Sequence, residues 1–188
     1  MKKILLLILL ILGVCFSANA QKIKIDEVDK FTKKRRIETS FEKIAKDKNV
    51  MNKMLGANSG DLHKNVWIAF YQNGDTSFLR LKWSCNKVLA LSDNSDIIFL
   101  DSEGNTYTFY NTGFTISGEG EAATSLFGSG IYGLDIYATG DVSALKGKQF
   151  TDMRILTTDG YIDFEIDKKS SAKINKTYDL FEATLKSK

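Results

Sequence analysis

Residues 64–83 read KNVWIAFYQNGDTSFLRLKW. Two strand-like runs flank Asn73-Gly74, a dipeptide that supplies the positive φ a type I′ turn demands. The spacing predicts a β-hairpin joining Lys64–Gln72 to Asp75–Trp83. A two-residue turn there sets Gln72 against Asp75, Phe70 against Ser77, Ile68 against Leu79 and Val66 against Leu81. That face is aliphatic and belongs to a core. The other face sets Tyr71 against Thr76, Ala69 against Phe78 and Trp67 against Arg80. A sheet with one dry and one wet face has no need of aromatics on its wet side. Trp67, Tyr71 and Phe78 are therefore either covered by another element or line a groove, with Arg80 stacked on Trp67. Trp67, Tyr71 and Arg80 are the candidate binding residues.

Two more hairpins follow the same logic. Glu103-Gly104 joins Asp96–Ser102 to Asn105–Ile116, which brings Leu100 to Tyr107 and Ile98 to Phe109. Asp159-Gly160 joins Gln149–Thr158 to Tyr161–Ile166, with Met153, Ile155, Ile162, Phe164 and Ile166 on the core face and Arg154 facing Glu165 on the wet one. Upstream, Lys22–Val28 alternates as a half-buried strand, Phe31–Lys34 turns, and Arg35–Phe41 pairs back. Over Phe41–Leu55 the spacing of Phe41, Ile44, Lys48, Met51 and Leu55 suits a helix that Gly56 stops, while a strand breaking at residues 47–49 fits as well. Ala57–His63 is a polar loop. Asp141–Lys146 makes a short helical piece. Asp167–Lys186 makes a terminal helix with Ile174, Tyr178, Phe181 and Leu185 on one stripe. Ser117–Gly133 carries five glycines, a long irregular segment of the kind that is mobile or functional. The expected fold is α+β: seven to ten mainly antiparallel strands in a curled sheet, sandwich or partial barrel, with the C-terminal helix packed on it.

The first twenty residues, MKKILLLILLILGVCFSANA, pair a charged start with an apolar run and a small-residue cleavage site before Gln21. They read as a secretory signal peptide, too short to span a bilayer. Its removal leaves residues 21–188 as a single β-rich domain without a membrane span, exported to the periplasm or beyond. Loss of Lys2 and Lys3 lowers the formal net charge from +3 to +1. Such a balance gathers no nucleic acid. The chain is 43% hydrophobic, too apolar for disorder. Cys85 is left as the single cysteine, so no internal disulfide forms and stability rests on the core.

Chemistry-bearing patterns are sparse. His63 is the one histidine, which rules out sites built on two or three imidazoles. Cys85 ends a strand with no activating neighbour and reads as a structural thiol. Gly118-x-Gly120-x-x-Ala123 has the letters of a dinucleotide fingerprint without the strand and crossover helix it requires. Asp93-Asn94-Ser95-Asp96 lacks the distal Glu of a calcium loop and reads as a turn. Asp26 with Glu27, and Asp101 with Glu103, are the sort of carboxylate pair glycoside hydrolysis uses. The basic run Lys30, Lys33, Lys34, Arg35, Arg36 is interleaved with acids and reads as a solvated turn guarding a sheet edge.

Asp29-Lys30-Phe31-Thr32 and Glu38-Thr39-Ser40 near the start, with Tyr137, Asp141, Leu145, Arg154-Ile155 and Asp159-Gly160-Tyr161-Ile162 near the end, resemble small secreted β-rich proteins of Bacteroidetes-type bacteria. The likeness covers about half the chain and implies a Gram-negative exported domain. It carries no functional residues. The expectation is a non-catalytic binding or interaction protein, without cofactor or metal, whose partner is a small molecule, a glycan or an envelope protein. Two alternatives stand beside it. One is an envelope- or polysaccharide-directed hydrolase using a carboxylate pair or His63. The other is a structural subunit that pairs through sheet edges.

Overall fold

The computed structural model of the chain describes residues 21–47, 65–85, 88–117, 124–126 and 129–187. The strands are β1 (Ile23–Val28), β2 (Arg35–Thr39), β3 (Glu42–Asp47), β4 (Asn65–Asn73), β5 (Thr76–Cys85), β6 (Ala90–Leu91), β7 (Asp96–Asp101), β8 (Thr106–Asn111), β9 (Thr115–Ile116), β10 (Thr124–Leu126), β11 (Ser129–Thr139), β12 (Phe150–Thr157) and β13 (Gly160–Glu165). A short 3-10 turn spans Val142–Leu145, and the α-helix α1 (Lys168–Lys186) ends the fold. All pairings among the described residues are antiparallel. β4 pairs β5, β5 pairs β11, β11 pairs β8, β8 pairs β7, β7 pairs β12, β12 pairs β13, β13 pairs β3, and β3 returns to β4. These eight strands thus pair in a closed circuit, which removes sheet edges from the body of the fold. Its narrowest seams are β13–β3 and β11–β8, with two register pairs each. The β1–β2 ribbon lies on the far half of the β4 edge that β3 also uses. β1 is the outer strand, and its exposed Lys24, Asp26 and Glu27 guard that edge.

Alternation along each strand fills the inside of the circuit. Val66, Ile68 and Phe70 meet Trp83, Leu81 and Leu79, and all six are fully buried. Phe99, Phe109, Ile136, Met153, Ile155 and Phe164 complete the filling. Trp83 sits edge-on to Phe164 at 5.3 Å, and Phe99 edge-on to Phe109 at 5.9 Å. Each such side chain contributes roughly 1.5–3 kcal/mol of burial. Helix α1 starts where Asp167 accepts from the Ser170 amide at 2.7 Å. It presents Ile174, Tyr178 and Phe181 inward, with the Phe70 ring 5.3 Å from Tyr178 and 5.7 Å from Phe181. At its far end Arg35 donates to the carbonyls of Thr184 and Ser187. That satisfies acceptors a helix terminus leaves open and places a cation at the negative end of its dipole.

The turns differ from the sequence reading in ways that matter. In the first hairpin Asn73 pairs Thr76, so the turn is Gly74-Asp75. Gly74 has φ +60° and Asp75 does not share the sign, the type II′ pattern. Register moves by two residues and the faces are kept, but Trp67 now meets Lys82 and Ala69 meets Arg80. The third hairpin shifts likewise: Thr157 pairs Gly160, and Arg154 faces Asp163, not Glu165.

The second hairpin shifts by one. Its loop is Ser102-Glu103-Gly104, with the Gly104 amide bonded to the Asp101 carbonyl and Gly104 at φ +88°. The Asp101 carboxylate holds that loop by accepting from the amides of Glu103 and Asn105 and from the Tyr107 hydroxyl. A one-residue slip inverts every side chain. Ile97 and Phe99 therefore point inward, and Ile98 and Leu100 outward.

Residues 42–47 are strand, not helix; a bulge between Lys43 and Ala45 buries both Ile44 and Ala45 and destroys the alternation. Part of the glycine-rich Ser117–Gly133 segment is regular: β10 pairs the start of β11. Residues 1–20, 48–55 and the 57–63 loop with His63 lie outside the described residues.

Candidate functional site

Trp67, Tyr71 and Arg80 do share the outer wall. Helix α1 does not cover them, because it packs on Phe70 from the other face of β4. Tyr71 lies 6.0 Å from Phe78, its partner in register, and edge-on to Tyr137 at 5.7 Å. Arg80 donates from Nε and Nη2 to the two oxygens of Asp135 at 2.9 and 2.6 Å, and from Nη1 to Glu38 at 2.9 Å. Its guanidinium lies 4.8 Å from the Tyr137 ring centre and 5.4 Å from that of Phe41. Burial acts to lower the Arg80 pKa, but the Asp135 hydrogen bonds and the nearby negative groups win and raise it. Burial also raises Tyr137, against the opposing pull of Arg80.

Arg80 is thus an ionic clamp tying β2, β5 and β11 together, with Lys24 as a further cation at 3.8 Å from Glu38. Its cation–π partners are Tyr137 and Phe41 rather than Trp67, which sits between Lys43 and Lys82 in register. Glu38, 2% exposed, and Asp135 are members the sequence reading missed. Glu38 points outward from a strand whose Ile37 points inward, and the cluster around it buries both.

The other side of the circuit carries a different surface. The second hairpin's one-residue shift turns Ile98 and Leu100 outward, where both stay half-buried. In register, Asp163, Arg154, Ile98 and Thr108 form one row across β13, β12, β7 and β8, and Glu165, Asp152, Leu100 and Thr106 form the next. Between them lies a trough of about 310 Å³ lined by Ile98, Leu100, Thr106, Asp152, Arg154 and Asp163. Arg154 is held by Asp163 at 2.6 and 2.9 Å, a pairing that raises its pKa, and the exposed Tyr161 ring lies 5.2 Å from its guanidinium. An apolar floor rimmed by Asp152 and the Arg154–Asp163 pair, on a sheet face that no described element covers, suits a ligand with an apolar body and a charged or hydrogen-bonding margin.

A second cleft of about 450 Å³ opens where β13 leaves β3 and α1 begins. Lys43, Lys169 and Lys173 line it together with Glu165 and Asp167. Two of its groups serve local pairings, Asp167 as the helix cap and Lys173 with Glu42 at 3.5 Å.

Other sequence candidates have structural positions. Asp26 holds Arg35 and Glu27 faces Arg36. Cys85 is a fully buried thiol outside any disulfide. Among the described residues no three His, Cys, Asp or Glu side chains are grouped to hold a metal ion, and no helix is long and apolar enough to cross a membrane. No protein-family model, curated protein or solved structure matches the chain.

Proposed function

We propose that this is an exported, non-catalytic binding or interaction protein that recognises its partner through the outer wall of a filled barrel. The observation that carries the reading is the outward row of Ile98 and Leu100 above the β7–β12–β13 trough. Solvated sheet faces are normally polar, and an apolar floor that no described element covers supports a contact surface there. The filled interior supports the same choice, since Trp83, Phe99, Phe109 and Phe164 occupy the space a barrel-bound ligand would need. The leader at residues 1–20 directs the chain to the periplasm or outside the cell, where glycans and envelope proteins are the available partners.

Amide-shift mapping of the exported chain tests this, with soluble peptidoglycan fragments as one probe and dilution of the protein itself as the other. The expected result is shifts confined to outward residues of β7, β12 and β13, with the fragments recovered intact. Cleavage of the fragments overturns the non-catalytic reading. Absence of trough shifts in both series overturns the outer-wall reading.

A further inference from the structure

The trough has a complement on the same chain. At the β1–β2 turn Phe31 is 82% exposed and Val28 is 62% exposed. The turn that carries Phe31 is stiff. The Asp29 carboxylate accepts from the amides of Phe31 and Thr32 at 2.9 and 2.7 Å and from the Thr32 hydroxyl at 3.0 Å. The Lys33 amide bonds the Asp29 carbonyl, and the Asp29 amide bonds the Lys34 carbonyl. Lys33 sits at φ +59°, a conformation side chains other than glycine rarely adopt. The base of the ribbon is anchored by Arg35 on Asp26 and on the end of α1. A solvated turn gains nothing from holding an aromatic residue out in water on an ordered backbone. A binding element gains affinity, because the ordering cost is met before contact. Around Phe31 stand the exposed ammonium groups of Lys30, Lys33 and Lys34, whereas the trough carries Asp152 and Asp163, the latter paired with Arg154, and Glu165 lies beside Asp152 in its row.

We propose that the Phe31 tip of one molecule seats in the β7–β12–β13 trough of a second copy, so that the protein self-associates head to tail. The inference rests on the outer-wall reading above and deepens it by naming the occupant. The phenyl ring covers Ile98 and Leu100, and the lysines face the acidic rim. Size agrees: an apolar cavity of roughly 150 Å³ holds benzene, and the trough has about 310 Å³. The contact is between molecules. The tip is rooted on β4 through β2, and β7 stands four places round the circuit from β4. Each molecule therefore offers one tip and one trough on opposite walls, and such a heterologous contact builds open chains or rings.

Sedimentation of the exported chain from micromolar to millimolar concentration tests the proposal. The expected result is assembly that grows with concentration and weakens with added salt. Phe31→Asp and Leu100→Lys each leave a folded monomer. An equimolar mixture of the two gives a dimer and nothing larger, because one intact tip still meets one intact trough. Thr106→Lys, at an exposed rim position, replaces Leu100→Lys if that variant fails to fold. A wild-type chain that stays monomeric, association untouched by both variants, or a mixture without dimer overturns the proposal. A monomer whose trough amides still shift with peptidoglycan fragments overturns self-association alone. A monomer without such shifts overturns the outer-wall reading with it.

Discussion

Replacing Arg80 by leucine decides whether the outer aromatic cluster is a structural clamp or a ligand arm. In the native fold the guanidinium places three donors on Glu38 and Asp135. The side chains of Arg80, Glu38 and Asp135 are only 14%, 3% and 18% exposed. Leucine leaves two carboxylates close together in a poorly hydrated place, with Lys24 at 3.8 Å from Glu38 and Lys82 opposite Asp135 in register as nearby cations. Breaking a buried pair by removing one partner costs about 3–5 kcal/mol, because the stranded charge has lost its compensation. For a domain of this size each kcal/mol moves Tm by about 2–4 °C, so about 4 kcal/mol gives a fall of roughly 8–16 °C. Urea unfolding followed by tryptophan fluorescence measures it, with Trp83 as a buried reporter. Adding Glu38→Gln to the leucine variant removes one stranded charge. The double variant is then expected to be at least ~1 kcal/mol more stable than additivity allows, as coupled neighbours behave. A single-variant cost below ~1 kcal/mol, or strict additivity, refutes the clamp.

Other perturbations have equally direct readouts. A Cβ at Gly140, which has φ +153°, meets the Phe109 ring at 2.7 Å; Gly140→Ala is expected to cost about 1–3 kcal/mol in denaturant titration. Phe181→Ala empties the stack against Phe70 and Tyr178, for an expected loss of about 3–5 kcal/mol, with faster hydrogen exchange along α1. Burial pushes the Asp101 carboxyl up, but its hydrogen bonds with Asn105, Tyr107 and Glu103 outweigh that and hold it at about 2, against an ordinary 3.8. A folded-state pKa below the unfolded one contributes stability that is complete above the unfolded value and is lost as pH falls from there through about 2. Asp101→Asn is therefore expected to flatten acid unfolding in that window.

Strand identity and the inner core were legible because period-two alternation survives small errors of register. The first and third hairpins show this. Moving each turn by one position shifted partners by two and kept Val66, Ile68 and Phe70, and Met153, Ile155 and Phe164, facing inward. The terminal helix was legible from its apolar stripe. The site was harder to read. The pairing of Ile98 with Phe109 and Leu100 with Tyr107 is one residue off, because the run IIFL is apolar on both faces and alternation cannot choose between them. The carboxylate of Asp101 chose, by holding a three-residue loop. The β3 bulge likewise buried adjacent residues and mimicked a helical spacing. Closure of the circuit left no local trace, because each residue reports its own face and not which distant strand lies beside it.

The seam between β3 and β13 joins Asp47 to Phe164, so a chain made or delivered from its amino end must wait for nearly all of itself before the ring can shut. Until then the main-chain groups along β3 that await β13 stay open to water and to neighbouring molecules. Contacts so distant in sequence make folding slow and leave the half-made form prone to aggregation. A nascent molecule of this architecture is thus most dependent on escort just before its last strand arrives.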